Sequence, residues 1–130
     1  MKVLIVEDEA LVALQIESAA EEAGHSVVGV ADNIASAMEI AGQSKPDLAL
    51  VDVMLARDES GLSLAVMLAE AGVPVFLASG NCPADSARSR ALGCLHKPFR
   101  DEDLSALFLI AEAVINGQPA PTSRSAIQIY

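Results

Sequence analysis

The sequence predicts an α/β fold, in which a doubly wound parallel sheet of five strands is flanked by five helices. Short apolar runs alternate with segments of helical periodicity up to a polar C-terminal stretch, which is the pattern of βαβ units. The connections are short enough that each helix must serve as the crossover between two parallel strands. The hydrophobic fraction is 52%, with three Phe, one Tyr and no Trp, which indicates a core of aliphatic residues.

The N-terminal half begins with the apolar run Val3–Val6, which stops at Glu7 and Asp8. A strand that is buried on both faces has this pattern where it reaches the edge of a sheet, so we assign the first strand here. Between Glu9 and Gly24 the apolar residues follow one helical stripe, and the terminal glycine is placed to cap the helix. The alternation continues with strands at 26–31 and 47–53 and helices at 33–44 and 60–72.

The C-terminal half repeats the same alternation. Pro74–Ser79 is predicted to be the fourth strand, and Pro83–Leu92 a short helix, because proline is favoured in the first turn of a helix. Cys94–Lys97 is predicted to be the fifth strand. The last predicted helix, Asp101–Asn116, has apolar residues at spacings of three and four and is followed by Gly117.

We expect one domain over residues 1–117, followed by a flexible tail at 118–130. The stretch Gln118–Ser125 is polar and interrupted by prolines, so it has little apolar surface to bury. Ile127 and Ile129 are expected to make only weak contacts.

The charge of the chain excludes several classes of partner. Its net charge of −10 is the wrong sign for binding nucleic-acid phosphates or anionic lipid. The first residues lack the apolar length of a signal peptide, and no apolar run approaches the length of a membrane span. We therefore expect a cytoplasmic protein with no nucleic-acid and no membrane partner. Cys82 and Cys94 have no metal-ligand spacing, so we expect reduced thiols without chemistry of their own.

Five polar residues follow or end the predicted strands: Glu7, Asp8, Asp52, Ser79 and Lys97. Ligands of open parallel sheets bind beyond the carboxyl ends of the strands, so we expect these side chains to meet at one edge. Three converging carboxylates repel one another unless a divalent cation joins them, and oxygen ligands favour Mg²⁺. A carboxylate oxygen can attack phosphorus when a metal and a fixed ammonium neutralise the phosphoryl oxygens. The pattern therefore predicts phosphoryl transfer.

Four segments in chain order resemble the signatures of the response-regulator receiver family of bacterial two-component systems. They are Val6–Glu9, Val51–Leu55, Ala78–Gly80 and Lys97–Phe99, and the resemblance covers about residues 2–116. The resemblance implies a flavodoxin-like fold with the strand order 2-1-3-4-5. It also implies a phosphorylation-dependent switch that receives its phosphoryl group from a sensor histidine kinase or a histidine phosphotransfer protein and acts on a downstream effector protein.

The resemblance assigns a role to each polar residue. Asp52 would be the phosphoacceptor, and Glu7, Asp8 and Asp52 would hold Mg²⁺ together with the backbone carbonyl of Met54. Ser79 and Lys97 would bind phosphoryl oxygens. The protein would promote its own phosphorylation and slow dephosphorylation without being an enzyme in the ordinary sense. Family members usually have a cis peptide before the proline that follows the lysine, so we expect one at Lys97-Pro98.

Two features depart from the usual family pattern. The family couples phosphorylation to an aromatic side chain three residues before the lysine, and this chain has Cys94 there, which excludes a Tyr or Phe rotamer switch. The segment Phe76–Asn81 resembles a subgroup whose fourth strand ends in a Phe-Ala-Thr-Gly type of sequence. Members of that subgroup are often single-domain receivers with a mobile fourth helix.

Other functions remain as alternatives. A phosphorelay intermediate or a phosphate sink that drains a kinase would use the same residues, whereas a receiver that no longer accepts phosphate would not need all five. An FMN carrier would share the fold, but the acidic run Glu7-Asp8-Glu9 would repel the FMN phosphate. A small phosphatase with an Asp nucleophile usually has a second Asp two residues later, where this chain has Met54.

Overall fold

The computed structural model describes residues 1–121 and 124–130, and the two remaining residues of the expected tail lie outside the described ranges. The described residues form one sheet with the order β2-β1-β3-β4-β5-β6. Its strands are β1 Lys2–Val6, β2 Ser26–Ala31, β3 Leu48–Asp52, β4 Val75–Ser79, β5 Gly93–His96 and β6 Ile127–Ile129. The first five are parallel, so the predicted doubly wound fold and its strand order are confirmed. The sixth strand is an antiparallel addition.

Four α-helices occur within the described ranges, with an additional 3-10 turn at Ala56–Asp58. They are α1 Ala10–Glu22, α2 Ile34–Ser44, α3 Gly61–Glu70 and α4 Asp101–Ile115. Successive side chains of a strand point to opposite faces, so Val3 and Ile5 pack in a core with α1 and α4. Leu4 and Val6 pack in a second core with α2 and α3. None of the helices in the described part is both long and apolar enough to cross a membrane.

The prediction of a fifth helix at Pro83–Leu92 is wrong. This stretch consists of bends and one turn, in which the carbonyl of Ser86 accepts hydrogen bonds from the backbone N–H groups of Ser89 and Arg90 at 3.2 and 2.8 Å. Arg90 has a positive φ of 59°, which ends any helical path at that residue. The path of the chain here is constrained from both sides by a disulfide and by the C-terminal strand.

The prediction of reduced thiols is also wrong, because Cys82 and Cys94 form a disulfide. Cys94 lies in β5, opposite Leu77 of β4, and it is fully buried. Cys82 follows β4 and is half-buried, and its Cα atom lies 6.0 Å from that of Cys94, a normal separation for a disulfide. Spacing along the chain could not show this, because the pairing depends on how the chain returns after β4.

Part of the expected flexible tail packs on the sheet. β6 pairs with β5, and Ile127 is buried against the core that contains α1 and α4. The guanidinium Nε of Arg124 donates to the Asp103 carboxylate at 2.6 Å, and the hydroxyl of Tyr130 donates to the carbonyl of Pro83 at 2.7 Å. The division of the chain at residue 117 stays a prediction, but the residues after the proline-containing stretch add a strand.

Candidate functional site

An acidic cluster lies where β1 and β3 end. Val6 pairs with Val51 in the parallel register, so the residues that follow Val6 lie beside Asp52. Carboxylate oxygens of Glu7, Asp8 and Asp52 all lie within 4.8 Å of one another. Glu7 and Asp52 are buried, whereas Asp8 is exposed. The predicted convergence of these three carboxylates is therefore present, and one member of the cluster is open to solvent.

Lys97 closes the same cluster from β5. Its Nζ donates to Oε1 of Glu7 at 2.8 Å and to Oδ2 of Asp52 at 3.1 Å. The backbone N–H of Lys97 donates to the carbonyl of Ser79 at 2.9 Å, which holds the lysine at the end of the sheet. The Lys97-Pro98 peptide is cis, as expected. The ammonium group thus neutralises part of the negative charge that the carboxylates bring together.

The burial of Glu7 has an electrostatic consequence. The pKa of Glu7 is raised from its ordinary value of 4.5 to about 7, because burial, the largest cause, and the neighbouring Asp52 together outweigh the opposing effect of Lys97. Burial alone would lower the pKa of Lys97, but its bonds to the Glu7 and Asp52 carboxylates outweigh that effect and raise it. The cluster is therefore short of positive charge, and a bound divalent cation would favour the ionised form of Glu7.

The backbone around Asp52 is positioned by its neighbours. The N–H of Met54 donates to Oδ1 of Asp52 at 3.1 Å, and the N–H of Gly61 donates to the carbonyl of Val53 at 2.7 Å. A Cβ atom at Gly61 would overlap the carbonyl oxygen of Asp52, so only glycine fits there. The supporting role of Gly61 was not predicted from the sequence. The available signal was a glycine, a poor helix former, directly after the N-cap Ser60.

Ser79 lies at the same edge of the sheet. Ala78 pairs with Asp52, so Ser79 follows immediately beyond the level of the candidate phosphoacceptor. Its hydroxyl accepts a hydrogen bond from the backbone N–H of Asn81 at 3.0 Å, and its side chain is buried. The structure thus brings Ser79 to the rim of the cluster but engages its hydroxyl with the following loop.

The donor set fits a hard divalent cation. Glu7, Asp8 and Asp52 each offer a carboxylate oxygen to one point, and Ca²⁺ and Mg²⁺ prefer oxygen ligands. Buried carboxylates this close to one another are stable only with a compensating positive charge. Lys97 supplies one such charge, because its ammonium group contacts the carboxylates of both Glu7 and Asp52. The group can therefore hold a metal ion.

Residues 3–108 match the protein family described as response regulator receiver domain. The chain belongs to this family. Among curated proteins, this receiver is 35% identical over 123 residues to the phyllosphere-induced regulator PhyR of Methylorubrum extorquens, which covers 92% of this chain and 45% of PhyR. It is 34% identical over 108 residues to the transcriptional regulatory protein PdtaR of Mycobacterium tuberculosis, which covers 79% of this chain and 52% of PdtaR. The chain thus spans about half the length of these relatives.

Solved structures support the same assignment of this receiver. The signal receiver domain of a modulated diguanylate cyclase from Desulfovibrio desulfuricans superposes with a TM-score of 0.77 at 31% identity and covers 88% of this chain and 95% of that one. The receiver domain of PhyR from Erythrobacter litoralis superposes with a TM-score of 0.73 at 28% identity and covers 95% of both chains. SdrG from Sphingomonas melonis has a TM-score of 0.70 at 30% identity and covers 89% of this chain and 96% of its own.

Proposed function

We propose that this receiver is a phosphorylation-dependent signalling switch in which Asp52 accepts a phosphoryl group from the phosphohistidine of a sensor histidine kinase or a histidine phosphotransfer protein. The observation that supports this most directly is the contact of Lys97 Nζ with Asp52 Oδ2 at 3.1 Å beside two further carboxylates. A buried aspartate with a fixed ammonium and a candidate cation site is equipped for attack on phosphorus.

In the proposed transfer, a carboxylate oxygen of Asp52 forms a bond to phosphorus while the phosphorus–nitrogen bond of the donor breaks. The electron pair of that bond leaves with the imidazole of the donor, which takes up a proton. Mg²⁺, held by Glu7, Asp8, Asp52 and the backbone carbonyl of Met54, would neutralise phosphoryl oxygens as charge moves between donor and acceptor. The N–H of Met54, 3.1 Å from Oδ1 of Asp52, orients the carboxylate.

Lys97 and Ser79 are the proposed phosphoryl ligands. A phosphorylated Asp52 carries close to two negative charges, so it competes with Glu7 for the ammonium of Lys97, which now lies 2.8 Å from Glu7 Oε1. The hydroxyl of Ser79 can leave its contact with Asn81 and donate to a phosphoryl oxygen instead. Both changes shift the backbone that follows each residue, so phosphorylation favours one conformation over the other.

The output of the switch is proposed to be an interaction with a downstream effector protein in the cytoplasm. The net charge of −10 opposes direct binding to nucleic acid. The curated relatives PhyR and PdtaR carry names of regulators, which supports a signalling role. A relay step or a phosphate sink would use the same Asp52 chemistry. A relay protein would pass the phosphoryl group to another protein, and a phosphate sink would lose it by hydrolysis. Neither role requires a change in the binding of an effector protein.

The deciding experiment is phosphoryl transfer to the purified chain in the presence of Mg²⁺. A phosphorylated histidine kinase or phosphotransfer protein serves as the donor, and a small acyl phosphate replaces it if no protein donor is in hand. We expect the mass of one phosphoryl group to be added to the wild type and to Asp47→Asn, an exposed aspartate remote from the cluster. Asp52→Asn should gain none. Equal labelling of Asp52→Asn would contradict the proposal.

A further inference from the structure

The Cys82–Cys94 disulfide closes a loop around residues 83–92, which are named the bracketed segment here. The two Cα atoms that flank the loop are 6.0 Å apart, and the two cysteines are separated by 12 positions in sequence. The bracketed segment begins just after Ser79 and ends just before β5, the strand that leads to Lys97. It therefore connects the two residues proposed to bind phosphoryl oxygens.

The composition of the bracketed segment favours a helix that the structure does not contain. Pro83 stands at a favoured first position, and Asp85 is in the first turn, where a negative charge is favourable. Ala, Arg and Leu, which are good helix formers, make up most of the remainder. The structure instead shows bends and a single turn in this stretch. The local preference is thus overridden by a constraint from elsewhere in the molecule.

The disulfide is such a constraint, because its geometry conflicts with a helix. A helix rises about 1.5 Å per residue, so the ten residues of the bracketed segment would extend over about 15 Å. The disulfide holds the flanking Cα atoms 6.0 Å apart, and only Gly93 separates Leu92 from Cys94. A straight helix would carry Leu92 well away from Cys82, and one residue would have to lead the chain back. The irregular path satisfies the disulfide instead.

We propose that Cys82 and Cys94 form a reversible thiol–disulfide couple that controls the conformation of the bracketed segment. With the disulfide intact the segment is irregular, and after reduction it forms a helix. The reductant is a dithiol, such as the dithiol of a reducing protein, and the oxidant is a disulfide of the same class. Disulfides in cytosolic proteins are mostly transient and redox-sensing, which agrees with a regulatory couple.

The reduction balances in two steps of thiol–disulfide exchange. A thiolate of the dithiol attacks Sγ of Cys82, which is half-buried, whereas Cys94 is fully buried. The electron pair of the sulfur–sulfur bond leaves on Sγ of Cys94, which takes up a proton. The second thiolate of the reductant then attacks the reductant sulfur of the mixed disulfide, and Cys82 leaves as a thiolate and is protonated. Two electrons and two protons reach the protein, and the reductant becomes a disulfide.

The disulfide is also linked to the two proposed phosphoryl ligands, Ser79 and Lys97. An effect of the disulfide on phosphorylation rests on the proposed function. Sγ of Cys82 lies 3.9 Å from the carbonyl oxygen of Ser79, and the same carbonyl accepts the backbone N–H of Lys97 at 2.9 Å. The disulfide therefore ties the loop after Ser79 to the strand that leads to Lys97. A phosphoryl group on Asp52 must draw both residues inward, and the tie resists that movement. Reduction should make the phosphorylated conformation easier to reach.

The C-terminal strand is the rival cause of the irregular path. Tyr130 donates to the carbonyl of Pro83 at 2.7 Å, and Gln128 donates to the carbonyl of Ala84 at 3.1 Å. Both bonds hold the start of the bracketed segment in its irregular path. The variant Tyr130→Phe removes one of them without touching the cysteines. It therefore tests the contribution of this bond from the strand while the disulfide stays intact.

The first experiment measures thiols and helix content in the full chain. We expect no thiol to react with an alkylating reagent in the oxidised wild type and both to react after treatment with a small dithiol. Far-ultraviolet circular dichroism should then show a rise of about one fifth in helical signal, the length of the bracketed segment relative to the four helices. Cys82→Ser, which leaves buried Cys94 in place, should show the higher signal without any reductant.

Three results would overturn the couple. The first is that the cysteines remain free thiols after incubation with a disulfide oxidant. The second is that the helical signal is unchanged in both the reduced wild type and Cys82→Ser. The third is that the helical signal of oxidised Tyr130→Phe rises as much as that of the wild type does on reduction. The last result would assign control to the C-terminal strand. None of these measurements involves Asp52, so they test the couple independently of phosphorylation.

The second experiment measures the binding of beryllofluoride with Mg²⁺, a mimic of the phosphoryl group, to the oxidised and reduced wild type. We expect binding to be tighter in the reduced protein by roughly fivefold or more, which is a typical strength of coupling between two sites. Equal affinity in the two states would overturn the link to the site. A lack of binding in both states would contradict the proposed function, while the alkylation and helix measurements would still decide the couple.

Discussion

The acidic cluster lies where β1 and β3 end and the bracketed segment follows the neighbouring strand β4, yet the two regions are determined in different ways. Each carboxylate of the cluster stands directly after or at the end of a strand, so the parallel register alone brings Glu7, Asp8 and Asp52 together. The bracketed segment contains no strand, so the register of the sheet does not fix its path. Its path depends on a disulfide and on bonds to a strand that the chain forms much later. Local sequence therefore determines the first region, and non-local contacts determine the second.

Replacing Lys97 should have the largest effect on the cluster. Lys97→Ala removes the ammonium that contacts Asp52 and Glu7, so phosphorylation of Asp52 should slow by about 100-fold or more, as when one donor is removed from an oxyanion site. Lys2→Ala, which removes an exposed lysine on the opposite edge of the sheet, should leave the rate unchanged. Similar rates for the two variants would separate Lys97 from the chemistry. The measurement is the time course of phosphoryl incorporation.

Gly61→Ala should disturb the cluster through the backbone. The new Cβ would overlap the carbonyl oxygen of Asp52, and such overpacking costs typically about 1–3 kcal/mol. Gly42→Ala is the matched control, because its Cβ would meet nothing within 4 Å and alanine favours the helix. Urea denaturation should show a loss of stability for the first variant and none for the second. If Gly61→Ala were as stable as Gly42→Ala, the backbone at Asp52 would be able to move away from the new Cβ without cost.

Asp103→Ala tests how firmly the C-terminal strand is held. Asp103 accepts the backbone N–H of Arg100 at 2.9 Å and Nε of Arg124 at 2.6 Å. Losing the capping bond should cost about 1 kcal/mol, and Arg124, whose side chain is half exposed, should add little. Amide hydrogen exchange in 127–129 should quicken, and Glu102→Ala, an exposed neighbour, should have no such effect. Unchanged exchange in Asp103→Ala would show that β6 is held without the contact between Arg124 and Asp103.

The same carboxyl group predicts a dependence on pH. The bond from the Arg100 backbone, followed by that from Arg124, lowers the pKa of Asp103 below its ordinary value of 3.8. An acid whose pKa is lowered in the folded state stabilises the fold above its unfolded pKa, and it loses that contribution as the pH falls through the folded pKa. The difference in stability between wild type and Asp103→Ala should therefore shrink below pH 3.8.

Glu7→Gln tests a dependence on pH of the opposite sign. Burial and the neighbouring Asp52 raise the pKa of Glu7 from 4.5 to about 7 against the opposing effect of Lys97, so without divalent cations the folded protein holds this proton more tightly than the unfolded chain. The melting temperature of the wild type should fall as the pH rises from 4.5 to about 7. Glu7→Gln should flatten this fall, and Mg²⁺ should raise the melting temperature of the wild type more than that of the variant, which keeps the carboxylates of Asp8 and Asp52. A steep fall that persists in Glu7→Gln would assign the titration to another group.

Most of the sheet could be predicted because its signals are local. The apolar runs that end in Glu7-Asp8, Asp52 and Ser79 mark three strand ends, and the parallel arrangement then brings the polar residues to one edge. The strands are buried on both faces, so few other arrangements could hide their side chains. The cluster, the cis Lys97-Pro98 peptide and the strand order follow from these signals together with the family resemblance.

The remaining features depend on contacts that local patterns do not encode. The bracketed segment has a helical composition, but its irregular path depends on the disulfide and on the bonds from Gln128 and Tyr130. Ile127 and Ile129 follow a polar stretch with prolines, and only the open edge of β5 explains why they form a strand. Gly61 is needed because Asp52 lies against it in space. In each case the deciding neighbour is distant in sequence or visible only after the sheet has formed.

A structure of the wild type with Cys82 and Cys94 reduced, in the presence of Mg²⁺ and beryllofluoride, would test the proposed phosphoacceptor most directly. We expect the beryllium to bind a carboxylate oxygen of Asp52, the cation to contact Asp52 and Asp8, and Nζ of Lys97 to leave Glu7 for the fluorides. A fluoride complex bound elsewhere, or an Asp52 carboxylate still paired with Lys97 and free of beryllium, would contradict the proposal.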